Sequence, residues 1–374
     1  MTTAKLNRFI FSCECVLGDG GMICNIMQSA LANDRPAKIF NGKISKTCLW
    51  SVHSKITGFG LEKMRYVVTG GCGFIGAHVV NLLQSKGKKV AIVDKITNRK
   101  TIDSAFLNEG AQHFYMDISD PQLMEKALLP DDVVIHLAAQ SHVDVSFKNP
   151  VSTTISNVVG IHSLLAACVK KGVKKLIVMS TDEVYGSTDE IVDVRLLDPA
   201  NPYSASKAAA DMIVSAYQKM HPELTITTLR SNNIAGPGQF INNIIPRFSV
   251  LGLLDRKFTL HGDGSARRRY LWVKDAAMAI YLLAEHATKS QIYHIGHDQS
   301  FSNLEVAEKI GSYLKLEDYI SFEKDRLIND TIYPADSLDM LRDFDWKPTR
   351  DLDDFLPETI EWYRTHLDHF RDLV

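Results

Sequence analysis

Short apolar runs recur along the chain from Tyr66 onward, at 66–69, 89–94, 113–117, 132–138, 176–180, 225–230 and 292–296. Most are near-continuous in Val, Ile and Leu, which predicts strands buried on both faces. Between them, around 74–86, 121–128, 153–171, 203–220 and 273–287, apolar positions recur at helical spacing. Strands alternating with helices predict an α/β fold: a doubly wound parallel sheet covered on both faces by right-handed crossovers. Ser302-Asn303-Leu304-Glu305 is a capping box that opens a further helix. The mixed pattern after about 290 predicts a smaller C-terminal α/β lobe. Residues 1–63 show neither sustained alternation nor a helical stripe and are interrupted by glycines. They are expected to be a poorly ordered N-terminal extension, a targeting segment or an over-extended gene product, with Met64 as a natural start of the functional unit.

Composition narrows the function classes. With 374 residues, 45% hydrophobic and 23% charged, the chain is neither a disordered polyelectrolyte nor a disulfide-stapled miniprotein. Its 42 basic and 44 acidic residues leave a formal charge of -2. No global positive field exists to hold a nucleic acid or an anionic membrane, so neither partner is expected. The six cysteines include no CxxC, and Cys13, Cys15, Cys24 and Cys48 match no paired-ligand spacing, so no metal site is expected. No uninterrupted apolar run of about 18 residues stands out, and no secretory signal opens the chain. The expected setting is reducing and cytoplasmic.

The strand at 66–69 runs into Gly70-Gly71-Cys72-Gly73-Phe74-Ile75-Gly76 and then a helix. Gly70, Gly73 and Gly76 at that junction would let backbone N–H groups and the helix N-terminus approach a pyrophosphate, with Phe74 and Ile75 between them. Asp94 ends the next strand, where a carboxylate would accept hydrogen bonds from a ribose diol and repel a 2′-phosphate, favouring NAD over NADP. Lys95 beside it acts slightly the other way. Asp117 and Ile118 are placed to bracket an adenine, and Leu137, Ala138 and Ala139 are small enough to pass close to a cofactor. The sheet is therefore expected to be a Rossmann-type NAD-binding domain over 64–235 plus 273–289, with the substrate lobe over 236–272 and 290–374.

Tyr203 and Lys207 lie four apart on a predicted helix and share a face. A nearby ammonium is expected to lower the phenol's pKa and make Tyr203 an acid/base near neutral pH. Ser180-Thr181-Asp182-Glu183 leaves the end of a parallel strand, where open α/β sheets place ligands. Beside a hydride acceptor and a Tyr/Lys pair, the two carboxyls become an acid and a base.

These motifs resemble the extended short-chain dehydrogenase/reductases, and within them the nucleotide-sugar 4,6-dehydratases acting on dTDP-glucose or UDP-glucose. The resemblance runs from about Met64 to the C-terminus. It rests on TGGCGFIGAH, LAAQSHVD at 137–144, STDEVYG at 180–186, NPYSASKAAAD at 201–211, RSNNIAGPGQF at 230–240, GDGSARRRYLWVKD at 262–275 and WKP at 346–348. The Asp-Glu pair is the most specific element, since epimerases and decarboxylases of the same fold typically lack it.

The resemblance implies that Thr181 hydrogen-bonds the sugar 4-hydroxyl, Tyr203 takes its proton, and Lys207 orients the nicotinamide ribose. Oxidation at C4 acidifies the C5 proton, which Glu183 would abstract, while Asp182, kept protonated by burial and its charged neighbour, protonates the departing C6 hydroxyl. Asn233 and Arg268 are implied at the diphosphate or nucleotide, Gln140, Ser141 and His142 at the sugar, and a homodimer through helices near 153–171 and 203–220. The chain departs from the family at Ile241-Asn242-Asn243-Ile244, where Pro-Glu-Lys is usual, at Ala235, where an aromatic is usual, and at Val145, where Arg is frequent. The expected activity is an NAD-dependent NDP-glucose 4,6-dehydratase. The competing readings are a 4-epimerase or decarboxylase of the same fold, and an idle NAD-binding scaffold.

Overall fold

The computed structural model describes residues 10–18, 21–29, 64–95, 110–188, 193–324 and 337–374. Two units separate, Met1–Glu62 and Lys63–Val374. In the first, where no regular element was expected, β1 (Ile10–Gly18) and β2 (Gly21–Ser29) pair antiparallel, from Ile10 opposite Ser29 to Gly18 opposite Gly21. Cysteine, glycine and polar residues interrupt the β-branched content of both strands, so period-2 alternation does not announce them. The other residues of this unit lie outside the described ones.

The second unit is built on β3 (Arg65–Thr69), β4 (Lys89–Asp94), β5 (Gln112–Tyr115), β6 (Val133–His136), β7 (Lys175–Met179), β8 (Thr225–Ser231) and β12 (Gln291–Ile295). They form one sheet in the order β12-β8-β7-β6-β3-β4-β5, every pair parallel. β3, β4, β6, β7 and β8 each insert alternate side chains into two cores. Tyr66, Val68, Ile92 and Ile135 pack with Val79 and Leu83 of the helix Phe74–Ser85 and with Ile280 of Val273–His286. Val67, Val93, Val134 and Val178 pack on the opposite face with Met124, Leu164 and Val214. Burial on both faces explains the continuous apolar runs, and the order reverses beside β3, where ligands sit in such sheets.

The smaller lobe uses β9 (Asn233–Ala235), β11 (Arg267–Trp272) and β13 (Ser300–Ser302) as a three-stranded sheet, and β10 (Phe258–His261) with β14 (Ile320–Glu323) as a parallel pair. The expected boundaries shift at both ends. Asn233–Ala235, assigned to the large domain, pairs with β11 in the lobe, and Gln291–Ile295, assigned to the lobe, pairs with β8 in the main sheet. Both are questions of long-range pairing, which local periodicity does not encode. Trp346 of the late WKP segment is buried and donates from Nε1 to the Asp275 carbonyl at 3.1 Å, while Thr349 N and Oγ1 donate to the Asp275 carboxylate at 2.8 and 2.7 Å. The C-terminal segment is thereby fastened to the helix that follows β11.

One helix bears on the question of a membrane span. Pro150–Lys171, which includes a π-helical stretch at Ile155–Val159, is long and apolar enough to cross a membrane by length and composition. Half of its apolar window is buried, with Ile161, Leu164 and Leu165 in the core, as a covering helix of a parallel sheet requires.

Candidate active site

The glycine loop closes on itself at β3. Gly70 has φ +71, and a Cβ there would lie 2.7 Å from the Ala138 nitrogen. A Cβ on Gly76 would come within 2.0 Å of the Gly70 carbonyl oxygen. Any side chain at either position would collide with backbone, so these two glycines are steric requirements of the turn. Asp94 Oδ2 accepts from the Cys72 N–H at 2.9 Å, which places the carboxylate against the loop. Burial holds Asp94 above the ordinary carboxylate range, although the Cys72 and Lys95 N–H groups pull it down. Lys95 Nζ turns to Asp117 Oδ2 at 2.7 Å. Burial pushes Asp117 up, but Lys95 and the Ser119 donors outweigh it and leave the carboxyl lowered.

The second cluster comes from the end of β7 and the helix Pro202–Met220. Thr181 caps a single 3₁₀ turn, Asp182–Tyr185, its Oγ1 accepting from Glu183 N at 3.3 Å. The longer helix starts at a capping box, Asn201 with Ser204, and Pro202 fills its first turn. These caps fix where Tyr203 and Lys207 stand. Both are buried, and the Lys207 ammonium donates to the Met179 carbonyl at 2.5 Å. The expected lowering of the Tyr203 phenol by Lys207 does not hold. Burial raises it, with Glu183 and Asp182 acting in the same direction, while a hydrogen bond from Thr181 opposes them. Helical spacing put the two residues on one face but could not show where the ammonium points. Burial also lowers Lys207, against the attraction of Asp211.

The two carboxyls of the 3₁₀ turn have different surroundings. Asp182 is 4% exposed, and burial raises it to about 7, against the hydrogen bond from Asn232 and with help from the Glu183 charge. Asn232 Nδ2 donates to Asp182 Oδ2 at 2.6 Å, and Thr181 Oγ1 donates to Oδ1 at 3.2 Å. Glu183 is half-buried, and its Oε2 accepts from Asn201 Nδ2 at 3.4 Å.

The two clusters face one cavity of about 730 Å³. Gly70, Gly73, Phe74, Ile75, Gly76, Asp94, Lys95, Asp117, Ile118 and Leu137–Ala139 line it together with Gln140, Ser141, His142, Thr181, Glu183, Tyr203, Lys207 and Asn233. Asp182 is not among these lining residues: it is buried and accepts from the hydroxyl of Thr181, which does line the cavity. A second cavity of about 490 Å³ is lined by Arg268, Lys148, Arg247, His261 and Tyr270, and shares Asn233, Gln239 and Asn243 with the first. Arg268 is therefore separated from the Tyr203 cluster, and Asn233 stands where the cavities meet. The altered stretch contributes Asn242 and Asn243 to the second cavity, amides in place of the usual carboxylate and ammonium.

Some side chains here were not foreseen. Asn157, buried in the π-helical stretch, accepts from Gln140 N at 2.7 Å and donates to Gln140 O and Ser206 Oγ, both at 2.9 Å. Nothing in its local sequence marks it. Asn232 was legible only as the neighbour of Asn233. His142 packs its ring on Phe240 at 4.3 Å between centroids, and its N–H donates to Gln140 Oε1 at 2.8 Å.

Comparison with known proteins matches this geometry to a family. The model of the NAD dependent epimerase/dehydratase family matches residues 66–296. The chain is 32% identical over 324 residues to the dTDP-D-glucose 4,6-dehydratase of Mus musculus, covering 82% of this chain and 91% of that protein. It is 34% identical over 322 residues to a trifunctional UDP-glucose 4,6-dehydratase/UDP-4-keto-6-deoxy-D-glucose 3,5-epimerase/UDP-4-keto-L-rhamnose-reductase of Arabidopsis thaliana, covering 82% of this chain but 48% of that protein. The chain thus spans about half the length of its plant relative. Among solved structures, a dTDP-glucose 4,6-dehydratase of Streptomyces venezuelae with NAD bound superposes with a TM-score of 0.76 at 32% identity, covering 81% of this chain and 97% of that one. With a family model over most of the chain and a relative covered over nine-tenths of its length, the chain belongs to the NAD dependent epimerase/dehydratase family.

Proposed function

We propose that the chain is an NDP-glucose 4,6-dehydratase that holds NAD tightly and forms an NDP-4-keto-6-deoxyglucose. The observation that carries this reading is the pair of adjacent carboxyls in unlike environments, Asp182 buried and raised to about 7 and Glu183 at the cavity wall. Carboxyls set apart in this way are suited to opposite proton-transfer roles.

The residues fit NAD. The cradle at Gly70 and Gly76 admits no side chain, and Asp94 stands at the end of the strand where a ribose diol would be met. Bound NAD supplies the hydride acceptor, and then donor, for the hexose. Tyr203 is the group placed to take the proton of the 4-hydroxyl, with the Thr181 hydroxyl beside it; its surroundings hold the phenol protonated, so its ionisation would depend on the positive charge that bound NAD brings to the site. Lys207, fixed at Met179 O, would orient the ribose. Once C4 is a ketone, Glu183 removes the acidified C5 proton. Asp182 delivers a proton toward the leaving 6-hydroxyl by way of the Thr181 hydroxyl, which is bonded to its Oδ1 and lines the cavity. Asn233, at the junction, and Arg268, in the second cavity, hold the nucleotide diphosphate and direct the hexose inward.

The reading includes a homodimer in a cytoplasmic setting. Val151, Ile155 and Val159 are 72, 47 and 44% exposed along one helix, and Met212 is 68% exposed on the helix packed beside it. That apolar stripe supports a bundle made with a second copy, and the free, buried Cys72 and Cys168 accord with a reducing compartment.

Incubation with dTDP-glucose and, separately, UDP-glucose without added cofactor tests the activity. Loss of one water from either is the expected result. Interconversion without loss of water would favour the epimerase, and bound NAD with no turnover the idle scaffold.

A further inference from the structure

Behind the active site lies a buried polar chain that joins four elements; its Tyr203, Lys207 and Ser180 reach the larger cavity, while Asp211, Arg230, Tyr185 and His294 line neither. On the helix Pro202–Met220, Tyr203, Lys207 and Asp211 are successive positions of one face, four residues apart. Asp211 Oδ2 accepts from Arg230 Nε on β8 at 2.9 Å and from Ser180 Oγ, just beyond β7, at 3.0 Å. The Arg230 and Asp211 side chains are 2% and 5% exposed. Arg230 Nη1 donates to the Tyr185 hydroxyl and, at 2.6 Å, to the Val194 carbonyl, and the guanidinium lies 4.8 Å from the Tyr185 ring centroid. Tyr185 is the last residue of the 3₁₀ turn that carries Asp182 and Glu183, and its hydroxyl is 2.7 Å from His294 Nε2 on β12.

We propose that Arg230 is a positioning residue for the reaction: paired with Asp211 and bonded to Tyr185, it locks the proton-transfer turn to the helix that bears Tyr203 and Lys207. The inference rests on the dehydratase reading and deepens it. Oxidation at C4 uses Tyr203 and Lys207 on the helix. Elimination across C5 and C6 uses Asp182 and Glu183 on the turn. The same hexose must meet both sets without leaving, so their separation has to hold across the two steps. A 3₁₀ turn of four residues has little stiffness of its own. A buried guanidinium has fixed donor directions, and here one of its nitrogens bonds the turn while another bonds the helix.

The clamp predicts that loosening it uncouples elimination from oxidation. Tyr185→Phe keeps the buried ring and removes the hydroxyl, and with it the bonds to Arg230 and His294. In the full-length protein with whichever hexose nucleotide the wild type dehydrates, kcat is expected to fall about tenfold with KM within about twofold, as for a displacement well under 1 Å. Enzyme-bound NADH, followed by its near-ultraviolet absorbance, should accumulate during turnover, because hydride leaves C4 while the C5 proton is removed late. Asp211→Asn should show the same signature more strongly. If Asp211→Asn does not fold, Tyr185→Phe decides alone. A folded Tyr185→Phe with wild-type kinetics, or one that loses activity without NADH accumulation, overturns the clamp and leaves the dehydratase reading standing. A wild type that binds NAD but dehydrates no hexose nucleotide overturns the dehydratase reading, and the clamp with it.

Discussion

The buried Asp182 carboxyl makes a prediction about stability that is independent of turnover. Burial raises it from the ordinary 3.8 to about 7. At about 1.4 kcal/mol per tenfold change in proton affinity, that displacement is about 4 kcal/mol. Below the unfolded value both states hold the proton, and Asp182 adds no pH dependence. Between the two values the unfolded chain has lost the proton and the folded one keeps it, so stability falls as pH rises. Above the folded value both are ionised, and the full cost of a buried charge is present. Asp182→Asn removes the ionisable group yet keeps a carbonyl oxygen to accept from Asn232 Nδ2, which now stands 2.6 Å from Asp182 Oδ2. The variant should therefore gain on the wild type by up to about 4 kcal/mol between about pH 4 and pH 8, with no further gain above. Urea unfolding of both proteins across that range measures the difference. Parallel stability profiles, or a variant that loses ground as pH rises, would refute the reasoning. The same raised carboxyl predicts that the wild-type rate declines above about pH 7, as the proton donor is lost.

Other perturbations separate parts of the site. Glu183→Gln should cut dehydration by about a hundredfold or more while NAD still co-purifies, read by product mass and by the cofactor released on denaturation; a variant near wild-type rate would remove Glu183 as the base. Gly76→Ala puts a Cβ 2.0 Å from the Gly70 oxygen and should yield protein without bound NAD or with a lowered Tm, and normal cofactor content would contradict the cradle. Ile155→Asp places a charge in the exposed apolar stripe and should convert a dimer to a monomer by light scattering, whereas an unchanged mass would move the interface elsewhere.

The fold was legible where local pattern suffices. The strands of the main sheet are apolar because both their faces are covered, so Tyr66–Thr69, Lys89–Asp94 and Val133–His136 stand out without any partner being known. The lobe was harder: β9 and β13 have three residues each, too few for a period to register. The assignment of β12 to the main sheet depends on β8, some sixty residues earlier, and no local signal carries such a pairing. The chemical groups were legible as types and spacings, but their orientation was not. Tyr203 and Lys207 share a face, as four-residue spacing requires, yet Lys207 is held at Met179 O, a contact made only when the helix packs on β7. Asp182 and Glu183 are neighbours in sequence, and the 3₁₀ turn sends one into the protein and leaves the other at the cavity. Arg230 reads as one more residue of a strand, and its role appears only when Asp211 and Tyr185 are brought to it.

The central claim is that one site oxidises C4, eliminates water and returns the same hydride to C6. The most direct measurement uses dTDP-glucose or UDP-glucose deuterated at C4, with the product examined by mass spectrometry and NMR. The account predicts a product lighter by one water that carries the deuterium in its C6 methyl group, formed without added cofactor. Deuterium retained at C4 with the mass unchanged, or lost from the sugar altogether, would contradict it.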